Sequence, residues 1–173
     1  MYQTIDRWVF RLAAAMALLG GAVLVALVFL TVISVTGRAL VFAGLGPVPG
    51  DFELVEAGTA FAVFAFLPWC QLTRAHASVE IFTMGLPASF NRALLILSDL
   101  LMLAIALLFF WRHGLGTLDA RRYGETTFIL QFPLWWAYAA SMIGAAVFVI
   151  VAVWCFITHI RSSEPAGSEP ALS

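Results

Sequence analysis

The sequence predicts an all-α integral membrane protein, with four transmembrane helices and a short interfacial helix between the second and third. Three observations predict it. Apolar residue types make up 62% of the 173 residues and charged types 11%, against about 45–50% and about 25% in ordinary soluble domains. So few charges cannot cover that much apolar surface in water. The charged residues leave four long stretches almost free of them, each able to cross about 30 Å of hydrocarbon at about 1.5 Å per residue. Finally, Trp8, Trp69, Trp111, Trp135, Trp136 and Trp154 fall at or near the ends of those stretches, as expected of rings that prefer the headgroup level.

Backbone N–H and C=O groups in lipid must be satisfied within the structure, so each stretch is expected to be a helix. A transmembrane barrel would need many strands of period-two alternation, which the sequence does not carry. The first span is expected over about residues 12–35, between Arg11 and Arg38. Its apolar run is longer than a signal-peptide core and no small-residue cleavage site follows it, so an uncleaved helix is expected. Gly44, Gly46, Pro47, Pro49 and Gly50 then make residues 39–53 a turn-rich external loop.

The second span is expected over 54–73, with Glu56 near the interface. In the segment 77–91, Val79, Phe82, Leu86 and Phe90 recur at helical spacing among Glu80, Thr83 and Ser89, while Gly85 and Pro87 limit the helix. This pattern predicts an interfacial helix and a turn into the third span. That span is expected over 93–111, interrupted only by Asp99, and is followed by an external loop over 112–132. Pro133 suits the first turn of the fourth span, expected over 133–158. The Ser-, Glu- and Pro-bearing tail 162–173 is expected to be disordered. Domain organisation is thus one membrane domain, 1–161, and a tail.

With the N-terminus inside, Arg7, Arg11, Arg74, Arg92 and Arg161 lie on the cytoplasmic side and Arg38, Arg112, Arg121 and Arg122 outside. The excess is slight but agrees with the positive-inside rule and puts both termini in the cytoplasm.

The composition excludes a nucleic-acid binder working through a basic face, since the net charge is −1 and thinly spread. Cys70 and Cys155 stand far apart in apolar runs without a CxxC, and are expected to be small buried hydrophobes. Asp99 is the one formal charge within the third span. A carboxylate there needs a partner or water, and Arg92, on nearly the same helix face, is one candidate. A polar contact between helices is the simpler reading. Glu53 and Glu56 share a face where the second helix begins. They suit its exposed N–H groups, a contact with Arg38, or another subunit.

His76, His113 and His159 are expected at span ends, with no metal-ligand spacing such as HExxH. Arg74, His76 and Glu80 suit a pin between the second helix and the interfacial segment. Arg121, Arg122, Tyr123, Gly124, Glu125, Thr126 and Thr127 form the densest polar cluster, read as a solvated loop or a docking surface. Neither a nucleophile with an ordered base nor a glycine-rich phosphate loop is found. No enzymatic activity, cofactor or metal is therefore expected. The residues alone leave open a haem-bearing or structural anchor of a respiratory complex and a small membrane enzyme. The lack of an internal repeat argues against a self-sufficient transporter.

Beyond the residues taken singly, their order resembles the small membrane subunit of tripartite ATP-independent periplasmic (TRAP) transporters, the DctQ-like small permease, over roughly residues 10–160. The second-helix block carries most of the likeness. It runs from Glu53-Leu54-Val55-Glu56 through Phe66-Leu67-Pro68 to His76-Ala77-Ser78-Val79-Glu80, with Glu80 where family members often have Asp. Gly124-Glu125-Thr126-Thr127, then Phe132-Pro133-Leu134-Trp135-Trp136 and Tyr138, form the second part, and Gly37-Arg38 the third.

The resemblance implies four membrane helices in a bacterial inner membrane with cytoplasmic termini. It also implies a large permease subunit and a periplasmic solute-binding protein as partners, with ion-driven uptake of organic acids. In that setting the chain would be a scaffold bracing the large subunit. Arg38, Glu53 and Glu56 would organise the outer side, and Arg74, His76 and Glu80 the cytoplasmic turn. Arg122, Gly124, Thr126, Thr127 and Pro133 would shape the outer loop, and Asp99 would serve packing or function within the third span.

Overall fold

The computed structural model describes residues 2–73 and 88–161. Among them are four long helices, α1 (Tyr2–Ala39), α2 (Asp51–Leu72), α3 (Ala88–Tyr123) and α4 (Leu134–Arg161), and a 3-10 turn at Val41–Ala43. Each long helix contains a stretch long and apolar enough to cross a membrane. The all-helical class and the four apolar helices therefore agree with the sequence. Residues 74–87 lie outside the described residues. They carry Arg74, His76, Glu80 and most of the expected interfacial segment 77–91.

Helix ends differ from the sequence expectation where local backbone geometry decides them. Gly50, at φ 75°, is the N-cap of α2, so the helix starts at Asp51 rather than 54. A left-handed φ is open to glycine because no Cβ clashes there. The larger difference is in α3. It begins at Ala88 and runs unbroken to Tyr123, so residues 88–91 are helical and so is the first half of the expected outer loop. The helix stops where Gly124 takes φ 64° and the Glu125 N–H bonds back to the Ala120 carbonyl at 3.1 Å. That is a Schellman cap, in which a left-handed glycine lets the following amide satisfy an orphan carbonyl.

The four helices pack as a row. α2 and α4 form the inner pair, α1 lies against α2, and α3 lies against α4, with a smaller contact between α1 and α4. Accordingly α4 buries the largest share of its apolar surface within the chain, and α1 and α3 the least. Between helices in lipid there is little hydrophobic driving force, so small residues that allow close approach hold the contacts. Ala13, Ala65, Ala106, Ala145 and Ala152 are fully buried. At the α1–α2 crossing, a Cβ on Gly20 would lie 3.0 Å from the Ala65 Cβ. Larger side chains fill the remaining core, with Phe148 and Val151 of α4 almost wholly enclosed.

Contacts across the row fix its register. On α3, His113 packs its ring on Phe64 of α2 at 4.7 Å and on Tyr138 of α4 at 5.1 Å. Gly114 faces Met142, and the Arg121 guanidinium lies 5.4 Å over the Trp135 ring. Phe64 is near the middle of α2, so Trp111 and His113 sit level with the middle of that helix. Trp111 is thus not at a helix end as the sequence suggests, while Trp135 and Trp136 open α4.

Candidate functional site

Three polar clusters punctuate the apolar row. The first ties α1 to α2 at the end of the molecule that carries the 40–50 and 124–133 connections. Ser34 Oγ, fully buried, donates a hydrogen bond to Asp51 Oδ2 and accepts the Val48 N–H at 3.3 Å. The other oxygen of Asp51 accepts the Phe52 N–H at 2.8 Å. Arg38 extends a guanidinium nitrogen to 3.7 Å from Asp51, its side chain 59% exposed. The partner of the Arg38 cation is therefore Asp51, not Glu53 or Glu56. Gly37 permits this turn, because a Cβ there would collide with the Gly46 carbonyl.

The second cluster is built on Glu53, in the first turn of α2. Its carboxylate accepts the Ile129 N–H at 2.7 Å and the Leu130 N–H at 3.0 Å. These amides are at the tip of the outer loop, 76 and 77 residues along the chain. That loop is a small hairpin. Thr126 and Pro133 form an antiparallel bridge, the Thr127 N–H bonds the Phe132 carbonyl at 3.0 Å, and the Phe132 N–H bonds Thr127 Oγ1 at 3.1 Å. Gln131 adopts φ 53° at the tip, and its side-chain amide donates to the Phe128 carbonyl at 2.9 Å. The Leu130 side chain fills the space beside Gly50 that a Cβ would occupy. The held tip presents Phe128, 94% exposed. Glu56 and Arg122 are exposed, without a role in this grip.

The third cluster joins α3 to α4. Asp99, buried, pairs with Nδ1 of His159. His159 is two residues from the end of α4, so Asp99 sits beside a helix terminus rather than at the centre of the packed row. Its partner is on the neighbouring helix. Farther along the same pair, His113 Nε2–H donates to the Tyr138 carbonyl at 3.1 Å. His113 is thus an interior packing residue and not a span-end one.

Of the residues singled out from sequence, the structure brings together Glu53 with the loop of Gly124, Thr126, Thr127 and Pro133. It joins Arg38 to a cluster and Asp99 to a helix contact, and it leaves Glu56 and Arg122 apart. Arg74, His76 and Glu80 lie outside the described residues. Sequence reasoning missed Ser34 and Asp51. An acid directly after a glycine that opens a helix was the available signal for Asp51. It also missed Asp6, which accepts the Trp154 indole N–H at 3.1 Å and ties the start of α1 to α4. These clusters fix connections and helix register, and among the described residues no three of the His, Cys, Asp and Glu side chains converge.

The chain matches the family model of the DctQ component of tripartite ATP-independent periplasmic transporters over residues 27–162. No curated protein and no solved structure matches it. The matched stretch takes in the C-terminal part of α1 from residue 27 and all of α2, α3 and α4, with every cluster named above except the Asp6 contact. With four apolar helices and that match, the chain belongs to the DctQ family, the small membrane subunit of TRAP transporters.

Proposed function

We propose that this chain braces the large permease subunit of an ion-gradient-driven TRAP transporter for organic acids, and that a periplasmic binding protein delivers the solute. The chain sits in a bacterial inner membrane with both termini cytoplasmic. The observation that carries this reading is how the polar groups are used. Asp51, Glu53 and Asp99 each spend their oxygens on contacts within the chain. Such groups hold connections and register, as a scaffold requires. Solute and ion pathways in membrane proteins generally rest on polar groups at discontinuous helices in paired repeats, and α1 to α4 are four continuous helices.

In this role Arg38 and Glu53 organise the outer side, Gly124, Thr126, Thr127 and Pro133 shape the outer loop, and the exposed Glu56 and Arg122 serve subunit contact. Arg74, His76 and Glu80 anchor the cytoplasmic turn and the interfacial segment. Reconstitution in proteoliposomes tests the reading. Uptake driven by an ion gradient should require the large subunit, this chain and the binding protein together. Full-rate uptake by the large subunit and binding protein alone would overturn the bracing role.

A further inference from the structure

We propose that the outward face of α3 around Arg112 seats a membrane-embedded helix of a partner chain that presents a carboxylate to Arg112. The inference rests on the reading above, which makes that partner the large permease subunit.

Depth is the first step. The helix α2 has 22 residues, about 33 Å at 1.5 Å per residue, enough for one crossing with none to spare. The His113 ring packs on Phe64, and Phe109 meets the same ring at 6.2 Å. Arg112, next to His113, is therefore level with the middle of α2. From the level of Phe64 the ends of α2 are about 20 Å and about 12 Å away along the axis. A snorkelling guanidinium falls well short of either, since its stem is only a few carbons long. The apolar count alone had put Arg112 at the outer edge; the register puts it in hydrocarbon.

Direction is the second step. Asp99, Ala106 and Ala120 are buried on one side of α3. Leu101, Ile105, Leu108, Arg112, Leu115 and Asp119 are all exposed and share the opposite side at helical spacing. Arg112 makes no hydrogen bond or ion pair with any described residue. Asp119, on the same face, is two turns nearer the loop end, about 10 Å along the axis. A cation within a membrane faces protein or a watered cavity and pairs with an acceptor, and Arg112 has none among the described residues.

Charge complementarity selects the occupant. Two copies of the chain inserted in the same sense would hold their Arg112 side chains at equal depth, cation against cation. Lipid headgroups lie beyond reach. A partner helix with a carboxylate at mid-depth, and a donor nearer the outer end for Asp119, answers both charges.

The test uses the chain co-expressed with the large subunit in native membranes. p-Benzoyl-phenylalanine is placed at Leu108 on this face, or at Val28 on the exposed face of α1, and irradiated. Affinity purification then compares wild type, Arg112→Leu and Arg112→Lys. The inference expects adducts with the large subunit from Leu108 and not from Val28. It also expects Arg112→Leu to retain the large subunit at least about tenfold less well, since a partner carboxylate loses its counter-charge. Arg112→Lys should keep most of it.

Arg112→Leu makes α3 more apolar, so its abundance in membranes should not fall. A wild-type complex with adducts only from Val28, or undiminished retention by Arg112→Leu, overturns this inference and leaves the bracing role standing. Leu108 adducts confined to lipid or to a second copy overturn it as well. Failure of the wild-type chain to co-purify with the large subunit overturns the bracing role itself, and Leu108 adducts with no membrane protein would then sink the inference too.

Discussion

Gly144 of α4 lies directly against the carbonyl of Phe64 in α2, so that a Cβ on Gly144 would stand 2.7 Å from that oxygen. Phe64 is four residues before Pro68, which lies inside the helix and is fully buried. A proline has no N–H to give, so the carbonyl four residues earlier loses its helical partner. The two inner helices thus meet where α2 has been locally opened, and only a residue without a side chain fits there. Gly144→Ala should destabilise the protein by about 1–3 kcal/mol, the range for an extra carbon forced into a packed interior. By contrast Gly21, whose added Cβ would meet nothing within 4 Å, should tolerate alanine. Gly21→Ala is expected to be neutral or to gain up to about 1 kcal/mol from helix propensity. Thermal unfolding in detergent compares the two, and equal melting temperatures would show that the Gly144 contact is not a tight one.

Glu53 determines the conformation of a loop far from it in sequence. Its two oxygens hold the Ile129 and Leu130 amides, so Glu53→Ala should speed hydrogen exchange at those two positions and raise protease sensitivity between Phe128 and Gln131. Glu53→Gln keeps a single acceptor oxygen and should fall between. The Thr127–Phe132 pairing is internal to the hairpin and should persist in both variants. Unchanged exchange at Ile129 and Leu130 in Glu53→Ala would mean that the hairpin carries its own conformation.

What could be read from the sequence follows from which quantities a sequence encodes locally. The apolar runs between Arg11 and Arg38 and from Pro133 to Thr158 specify membrane helices by length alone, and both emerge as such. Register is a different matter. Arg112, His113 and Asp119 look like the start of a loop because they are charged, yet the helix continues. Packing of His113, Gly114 and Gly116 on Tyr138 and Met142 carries it on, and Gly124 is its first stop. Likewise the sequence offers the acidic pair Glu53 and Glu56 to the N–H groups of the helix start, to another subunit or to Arg38. The true partner, Asp51, depends on Gly50 turning the chain into α2 one residue earlier. Asp99 shows the same limit, since its neighbour His159 is 60 residues away.

Ser34 should matter more to the α1–α2 connection than Arg38 does. The serine hydroxyl is fully buried and joins both Asp51 and the Val48 amide. The Arg38 contact is long and its side chain is mostly in solvent, where ion pairs contribute little. Ser34→Ala is expected to lower the melting temperature clearly, because the Val48 N–H loses its partner in a part-buried site. Arg38→Ala is expected to change it far less, and less again as salt is raised. A larger loss from Arg38→Ala than from Ser34→Ala, measured in the isolated chain, would reverse the assignment of what closes this turn.

Asp99 and His159 form the polar clasp between α3 and α4 at the end opposite the hairpin. α3 packs chiefly on α4, so this pair bears on whether α3 stays docked. A double-mutant cycle with Asp99→Leu, His159→Leu and both together separates the pair from its surroundings. Contacting polar residues give coupling of about 0.5–3 kcal/mol, and the burial of Asp99 favours the upper half of that range, since His159→Leu leaves an enclosed carboxylate without this hydrogen bond. The double variant should therefore be more stable than the sum of the singles implies, because it no longer encloses the Asp99 carboxylate. Asp99→Asn should lose less than Asp99→Leu, as its side-chain oxygen can still accept a hydrogen bond from His159. Additive losses in the cycle, within about 0.5 kcal/mol, would show that α3 is held to α4 by the Ala106–Phe148 packing and the His113 contacts alone.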